Sequence, residues 1–277
     1  MGCEIPRRII QIGKDLHHSL RDRAVMSNMR LLNPDFEYLF FDNNQKEEFV
    51  EQRFPQFLSV YKSFRYPIQK YDFFRYLAIY EHGGFYMDLD VLLAGSLSPL
   101  LEHGCVFSFE AISLSKYLRD DLGMDWQIGN YAFGASPRHV FLESIIENCV
   151  RGHQDTKWVE PMMRGCPPLL DEEFFVINST GPGLVSRTFA ENRELAKTVA
   201  VLFPDDVCDI RNWNRFGELG IHLMEGSWRL KRNFVHRQLA GRCWNWIQHR
   251  RIEQSRERGK SRCLPFNAIA SDCCVPQ

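Results

Sequence analysis

The chain has 277 residues, 44% hydrophobic, 25% charged and 13% aromatic, with a formal net charge of −1. That length and apolar content suit one large α/β domain or two small ones with a substantial core, and they exclude disordered and fibrous chains. No apolar run approaches the roughly 18 residues of a membrane-spanning helix, and Met1 to Arg8 has neither a hydrophobic signal core nor, because of Pro6, a myristoylation pattern. The expectation is a soluble, cytoplasmic protein.

In chain order, Arg8–Ile12 reads as a buried strand, Ser19–Leu32 as a helix and Tyr38–Phe41 as a second strand. Gln45–Tyr61 reads as one or two helices, and Tyr66–His82 as a long helix stopped by Gly83-Gly84, where glycine takes a left-handed conformation without strain. Phe85–Leu89, Val106–Phe109 and Ile128–Phe133 are strand candidates, and Pro137–Cys149 and Gly183–Glu194 are helical. Strands separated by helices imply an α/β fold with a mostly parallel sheet flanked by helices.

Charge is unevenly distributed. Residues 229–262 hold eleven Lys/Arg and two Asp/Glu, leaving 23 Lys/Arg against 33 Asp/Glu elsewhere. The basic stretch carries Leu230, Phe234, Val235, Leu239, Trp244, Trp246 and Ile247, so it reads as an amphipathic helical segment. Two readings stand: a helix packed on the body with a solvated basic side, or a peripheral contact with an anionic membrane surface or acidic partner. No nucleic-acid-binding motif accompanies the charge, so nucleic acid is not expected. The division follows: a body over 1–228, then a basic amphipathic helical segment and tail over 229–277. The nine cysteines, at 3, 105, 149, 166, 208, 243, 263, 273 and 274, show no zinc-type spacing and read as free thiols, with Cys273-Cys274 a candidate exposed pair.

The stretch from Lys70 to Val91 carries the chemistry. Phe73, Phe74, Tyr76, Leu77, Ala78, Ile79 and Tyr80 surround the helix axis, so the helix should be largely buried. Asp72 and Arg75, three residues apart, share one face, and buried charges of that kind need partners. They form either a structural ion pair or a charged ledge facing a pocket. Asp88-Leu89-Asp90 alone is weak evidence, because sixteen aspartates predict about one Asp-x-Asp by chance, which is what the sequence holds. Its position gives it weight: it ends an apolar strand, where open α/β sheets bind ligands. Strand alternation would put Asp88 and Asp90 on one side, where both could serve one Mg²⁺ or Mn²⁺ ion.

Asp72, Arg75, Gly83, Gly84, Tyr86, Asp88 and Asp90 closely resemble the donor-site signature of the DXD sugar transferases of glycosyltransferase family 32 and of the related glucosylating domains of clostridial toxins. The resemblance implies a GT-A fold, a nucleotide-sugar donor with a UDP-sugar favoured, a divalent cation (Mn²⁺ or Mg²⁺) and retention at the anomeric carbon. Asp72 and Arg75 would grip the donor sugar and the diphosphate region, Asp88 the ribose and sugar side, and Asp90 the metal, with Tyr86 part of the donor signature.

Three further stretches extend the likeness. Ile5 to Ile12, with Gln11 as a donor-binding candidate, looks like the family's opening strand, with Ile10 where the family often has His and Gly13 where it has Trp. The segment Ile128 to Ala135 resembles the one whose asparagine faces the transferred sugar, which nominates Asn130. His222 to Trp228 resembles a late loop that closes over the donor. That nominates His222 and Ser227 as metal ligands and Ser227 and Trp228 as donor contacts, with Leu223 and Met224 departing from the pattern. His222 also reads as an ordinary hydrogen-bonded core histidine, and Trp228 as a packing residue.

No carboxylate pair is placed as nucleophile plus acid, so the expected step is attack of an acceptor hydroxyl from the leaving-group face. The acceptor is a glycan, a glycolipid or a protein. Two rivals stand beside this reading. A haloacid-dehalogenase-type phosphatase would use Asp88 and Asp90 with Asp205-Asp206, although Leu92-Leu93 stands where that class continues Gly-Thr. A catalytically silent nucleotide-binding module is the other.

Overall fold

The computed structural model describes residues 4–204, 207, 209–223, 246, 247 and 250. Strand β1 (Arg8–Ile12) is buried over Ile9 to Ile12 and lies parallel to both β2 (Glu37–Phe41) and β3 (Gly84–Met87). Parallel neighbours need crossovers. Helix α1 (Leu20–Leu32) supplies the first, and α2 (Asn43–Arg53), α3 (Leu58–Ser63) and α4 (Pro67–His82) supply the second. Beyond β3 the sheet continues with β6 (Trp126–Ala135), β5 (Cys105–Ile112) and β7 (Ala200–Leu202), giving the order β2-β1-β3-β6-β5-β7. β6 runs antiparallel to both of its neighbours, while β5 and β7 are parallel. The sheet is therefore mixed, with three of five neighbouring pairs parallel. β5 and β6 are joined without an α-helix, which permits the antiparallel pairing. A second antiparallel sheet comprises β4 (Val91–Leu93), β8 (Arg215–Phe216) and β9 (Gly220–His222), in the order β4-β9-β8.

The core has two layers. Phe73, Phe74, Leu77, Phe107, Phe133, Phe141 and Leu184 fill one, where α4, α5 (Val140–Gln154) and α8 (Pro182–Glu191) cover the sheet. Ile9, Val25, Met29, Phe85, Met87 and Phe216 fill the other, beneath α1 and the small sheet. Val25 and Met29 are one helical turn apart on α1, whose N-cap Ser19 exchanges hydrogen bonds with Asp22. Helices α6 (Thr156–Met163), α7 (Asp171–Ser179) and α9 (Arg193–Ala196) pack against α5 and α8 on the first side. Among the described residues no helix is long and apolar enough to cross a membrane.

Three elements fix the site. α4 is buried from Asp72 to Ile79, as its ring of apolar residues predicts. Gly83 ends it at φ 63°, and a Cβ there would come within 2.8 Å of Pro6 and Pro137, so only glycine fits. The following strand stops at Met87, two residues short of the sequence expectation. Asp88-Leu89-Asp90 forms a turn closed by Val91 N donating to Asp88 O at 3.1 Å, with Asp88 N donating to Tyr131 O at 2.8 Å. The two aspartates therefore converge through the turn and not through strand alternation. In β6, pairing with β5 jumps from Phe107–Phe133 to Ser108–Gly129, leaving Asn130, Tyr131 and Ala132 as a bulge. Bulges re-aim side chains next to sites, and this one turns Asn130 toward α4.

Ser227, Trp228, Asp205, Asp206, the boundary at 228 and most of the basic 229–277 segment lie outside the described residues, as do Cys3, Cys208, Cys243, Cys263, Cys273 and Cys274. Cys105, Cys149 and Cys166 are free thiols.

Candidate active site

Asp72 and Arg75 leave α4 on the same face, 5% and 4% exposed. Arg75 Nη2 lies 3.2 Å from Asp72 Oδ1, and its Nη1 lies 3.4 Å from the Asp88 carboxylate and donates to Asn130 O at 2.8 Å. The guanidinium also stacks over the Tyr86 ring at 4.7 Å. Burial works against its charge, but Asp88, Tyr86 and Asp72 outweigh burial and raise its pKa, so Arg75 is a fixed cation.

Both Asp72 oxygens are engaged. Oδ1 accepts from Asn130 Nδ2 at 3.0 Å and Oδ2 accepts from Thr180 Oγ1 at 3.0 Å. Burial nevertheless raises its pKa against the opposing pull of Arg75, Thr180 and Asn130. Asn130 Nδ2 also donates to Tyr76 OH at 2.8 Å, and that hydroxyl donates to Thr180 O at 2.8 Å. The Asn130 amide nitrogen is thus held by two acceptors.

Asp88 sits at the junction of two networks. Tyr86 OH donates to its Oδ1 at 2.5 Å. On its other side, Asp88, Asp90 and His222 offer ligand atoms that all lie within 4.8 Å of one another, all three partly buried. His222 Nε2 is 3.2 Å from Asp90 Oδ1, and its ring stacks on Tyr131 with centroids 4.3 Å apart. β9 brings this histidine alongside β4, and Leu223 N donates to Asp90 O at 2.8 Å. Burial opposes the charge of each, yet their mutual hydrogen bond and attraction win: the pKa of Asp90 is lowered and that of His222 raised. Two carboxylates and one imidazole suit a divalent cation of the Mg²⁺, Mn²⁺ or Zn²⁺ type, and the oxygen-rich share favours the first two.

Gln11 is fully buried behind the turn. Its Nε2 donates to Met87 O at 3.3 Å and Asp88 O at 3.2 Å, while its Oε1 accepts from Tyr38 OH at 2.7 Å. What it holds in this structure is the backbone of the aspartate turn. The structure thus brings Asp72, Arg75, Tyr86, Asp88, Asp90, Asn130 and His222 into one region, with Gln11 bracing it from below. Sequence reasoning missed Thr180 and Tyr131 and took Tyr76 for core packing. Thr180-Gly181-Pro182 is a helix-start signal that could have drawn attention to the first of these.

Residues 20–107 match the model of the glycosyltransferase sugar-binding region containing a DXD motif. The chain is 27% identical over 180 residues to mannosyl phosphorylinositol ceramide synthase CSH1 of Saccharomyces cerevisiae, covering 63% of this chain and 41% of that protein. It is 29% identical over 178 residues to inositol phosphoceramide mannosyltransferase 1 of Schizosaccharomyces pombe, covering 62% of this chain and 51% of the relative. The alignments thus span about half or less of the length of these relatives. The ligand-free glycosyltransferase domain from the YGT toxin superposes with a TM-score of 0.50 at 8% identity, covering 72% of this chain and 80% of that domain, a likeness of fold. Residues 20–107, with the aspartate turn among them, thus match a DXD-containing glycosyltransferase sugar-binding region, and the mixed sheet has the GT-A fold.

Proposed function

We propose that the chain is a divalent-cation-dependent glycosyltransferase that moves a hexose from a nucleotide-sugar donor to an acceptor hydroxyl with retention at the anomeric carbon. The observation that carries this reading is the convergence on Asp88 of a buried Asp72–Arg75–Asn130 network and an Asp88–Asp90–His222 cluster. The names of the yeast relatives favour a mannosyl donor and an inositol-phosphate sphingolipid acceptor. A UDP-sugar is the alternative donor.

A cation held by Asp88, Asp90 and His222 would neutralise charge on the diphosphate as a Lewis acid. Arg75 adds a fixed positive charge in a buried setting, where it acts more strongly than in water. The Asn130 carbonyl and the Asp72 edge would accept hydroxyls of the donor sugar and orient the anomeric carbon. Both oxygens of Asp72 are held by Asn130 and Thr180, which disfavours it as a nucleophile and supports attack by the acceptor hydroxyl from the leaving-group face. Asp88 is likewise held by Tyr86 and Arg75, which speaks against the phosphatase reading.

The test is a screen for hydrolysis of GDP-mannose and of UDP-hexoses with and without MnCl2. Cation-dependent release of one nucleoside diphosphate, lost in Asp90→Asn, is the expected result. Hydrolysis of simple aryl phosphates unaffected by nucleoside diphosphates would overturn it. Cation-dependent nucleotide binding without hydrolysis or transfer would reduce the chain to a binding module.

A further inference from the structure

Lys46 lies in the first turns of α2, and its side chain is directed inward, leaving the residue 1% exposed. Its Nζ donates to Gly13 O at 2.9 Å and sits 3.5 Å from the centre of the Tyr71 ring. No carboxylate of the described residues is within salt-bridge reach of this ammonium. An isolated buried ammonium is costly unless paired, and such groups concentrate where a ligand supplies the missing partner.

A second observation points to the same place. Arg75, one helical turn after Tyr71, has its Nε buried with no hydrogen-bond partner, although both terminal nitrogens are engaged. Gly13 follows β1 and faces the aspartate turn: a Cβ on it would come 3.5 Å from Leu89 Cδ1. Two cations with unfilled donor capacity therefore flank the carboxyl ends of β1 and β3, where α/β sheets receive their ligands. Among the described residues, the acid that acts on Lys46 is the α2 N-cap, Asp42, at longer range.

We propose that Lys46 is a donor-binding residue whose ammonium, together with Arg75 Nε, takes an electron-rich oxygen of the nucleoside diphosphate. This rests on the function proposed above and adds to it a contact outside the DXD signature. Burial, then the Arg75 charge, bring the Lys46 pKa down to about 7 against the weaker pull of Asp42. Tyr71 and Arg75 face it from α4, Asp42 from α2, and Asp15 acts on Tyr71 from the loop after β1. An anionic or carbonyl oxygen placed beside the amine favours its charged form, so binding should draw in a proton.

The test is calorimetric titration of the full chain with UDP and with GDP, in MnCl2, at pH 6.5 and 8.5 and in buffers of different ionisation enthalpy. For the wild type, affinity should fall at the higher pH, with uptake at pH 7 of about half a proton above that of Lys46→Met. Lys46→Met should bind at least tenfold more weakly at pH 6.5 and lack that uptake. It should melt no lower than the wild type without nucleotide, since a lone buried charge has been removed. Lys46→Arg, which cannot titrate, should bind nucleotide with a flatter pH profile. Wild-type affinity and an unchanged pH profile in Lys46→Met would overturn the Lys46 assignment alone. Failure of the wild type to bind either nucleotide would overturn it together with the proposed function.

Discussion

Replacing Thr180 by Val removes one hydroxyl and little volume, and so isolates the bond that closes the Asp72 network. Thr180 Oγ1 donates to Asp72 Oδ2 at 3.0 Å, while Tyr76 OH donates to the backbone oxygen of Thr180, which the variant keeps. Asp72 is 5% exposed, so water does not readily replace the lost donor. A hydrogen bond to a buried charge contributes about 1.5–3 kcal/mol, and that is the expected loss of unfolding free energy at pH 7.5. The pH dependence sharpens the test. The Asp72 pKa is already raised by burial, so the folded state holds its proton to higher pH than the unfolded state, and this group's contribution falls as pH rises through the folded value. Thr180→Val removes an interaction that favours the carboxylate, so its pKa should rise further. The variant's deficit should therefore be larger at pH 7.5 than at pH 5, since protonating the carboxyl leaves only a neutral bond, about 1 kcal/mol, to be missed. Urea unfolding of both proteins at the two pH values reads this directly. A deficit below about 0.5 kcal/mol, or one equal at both pH values, would refute the reasoning.

Arg75→Lys cannot hold Asp72, Asp88 and the Asn130 carbonyl together, so it should lose about 2–3 kcal/mol of stability by urea unfolding and most of its donor turnover. Tyr131→Leu removes the ring behind His222 and should weaken Mn²⁺ binding by about 10–100-fold, measured by titration. Gly83→Ala forces a side chain onto a backbone at φ 63° and ψ −179° and against two prolines, which should lower the free energy of unfolding by about 1–3 kcal/mol.

Local signals in the sequence carried much of the centre of the fold. β1 runs over the expected residues, α1 begins one residue after the predicted Ser19, and α4 ends at the glycine pair. Asp72 and Arg75 were legible because three-residue spacing on a helix fixes their common face. What was not legible depends on contacts far apart in the chain. Thr180 reaches Asp72 across 108 positions and Tyr131 meets His222 across 91, so neither leaves a short-range pattern. Lys46 sits in the polar run Asn43-Asn44-Gln45-Lys46-Glu47-Glu48, which carries no local sign that the fold buries it. The aspartate pair reads as the end of a strand because Phe85-Tyr86-Met87 is apolar and Leu89 extends the pattern past Asp88. The bond from Asp88 N to Tyr131 and the turn to Val91 end the ladder earlier. Antiparallel β6 was likewise hidden, since its burial on both faces resembles that of a parallel strand.

The proposed function turns on whether Asp88, Asp90 and His222 would hold a cation that supplies positive charge to a nucleoside diphosphate. Its most direct measurement is Mn²⁺ affinity with and without saturating UDP or GDP, for the wild type and Asp90→Asn. Because coupling between two ligands is reciprocal, one of the nucleotides should tighten Mn²⁺ by about tenfold or more in the wild type. In Asp90→Asn, both the cation and the coupling should be lost. Mn²⁺ binding that ignores both nucleotides, or that survives unchanged in Asp90→Asn, would contradict the account.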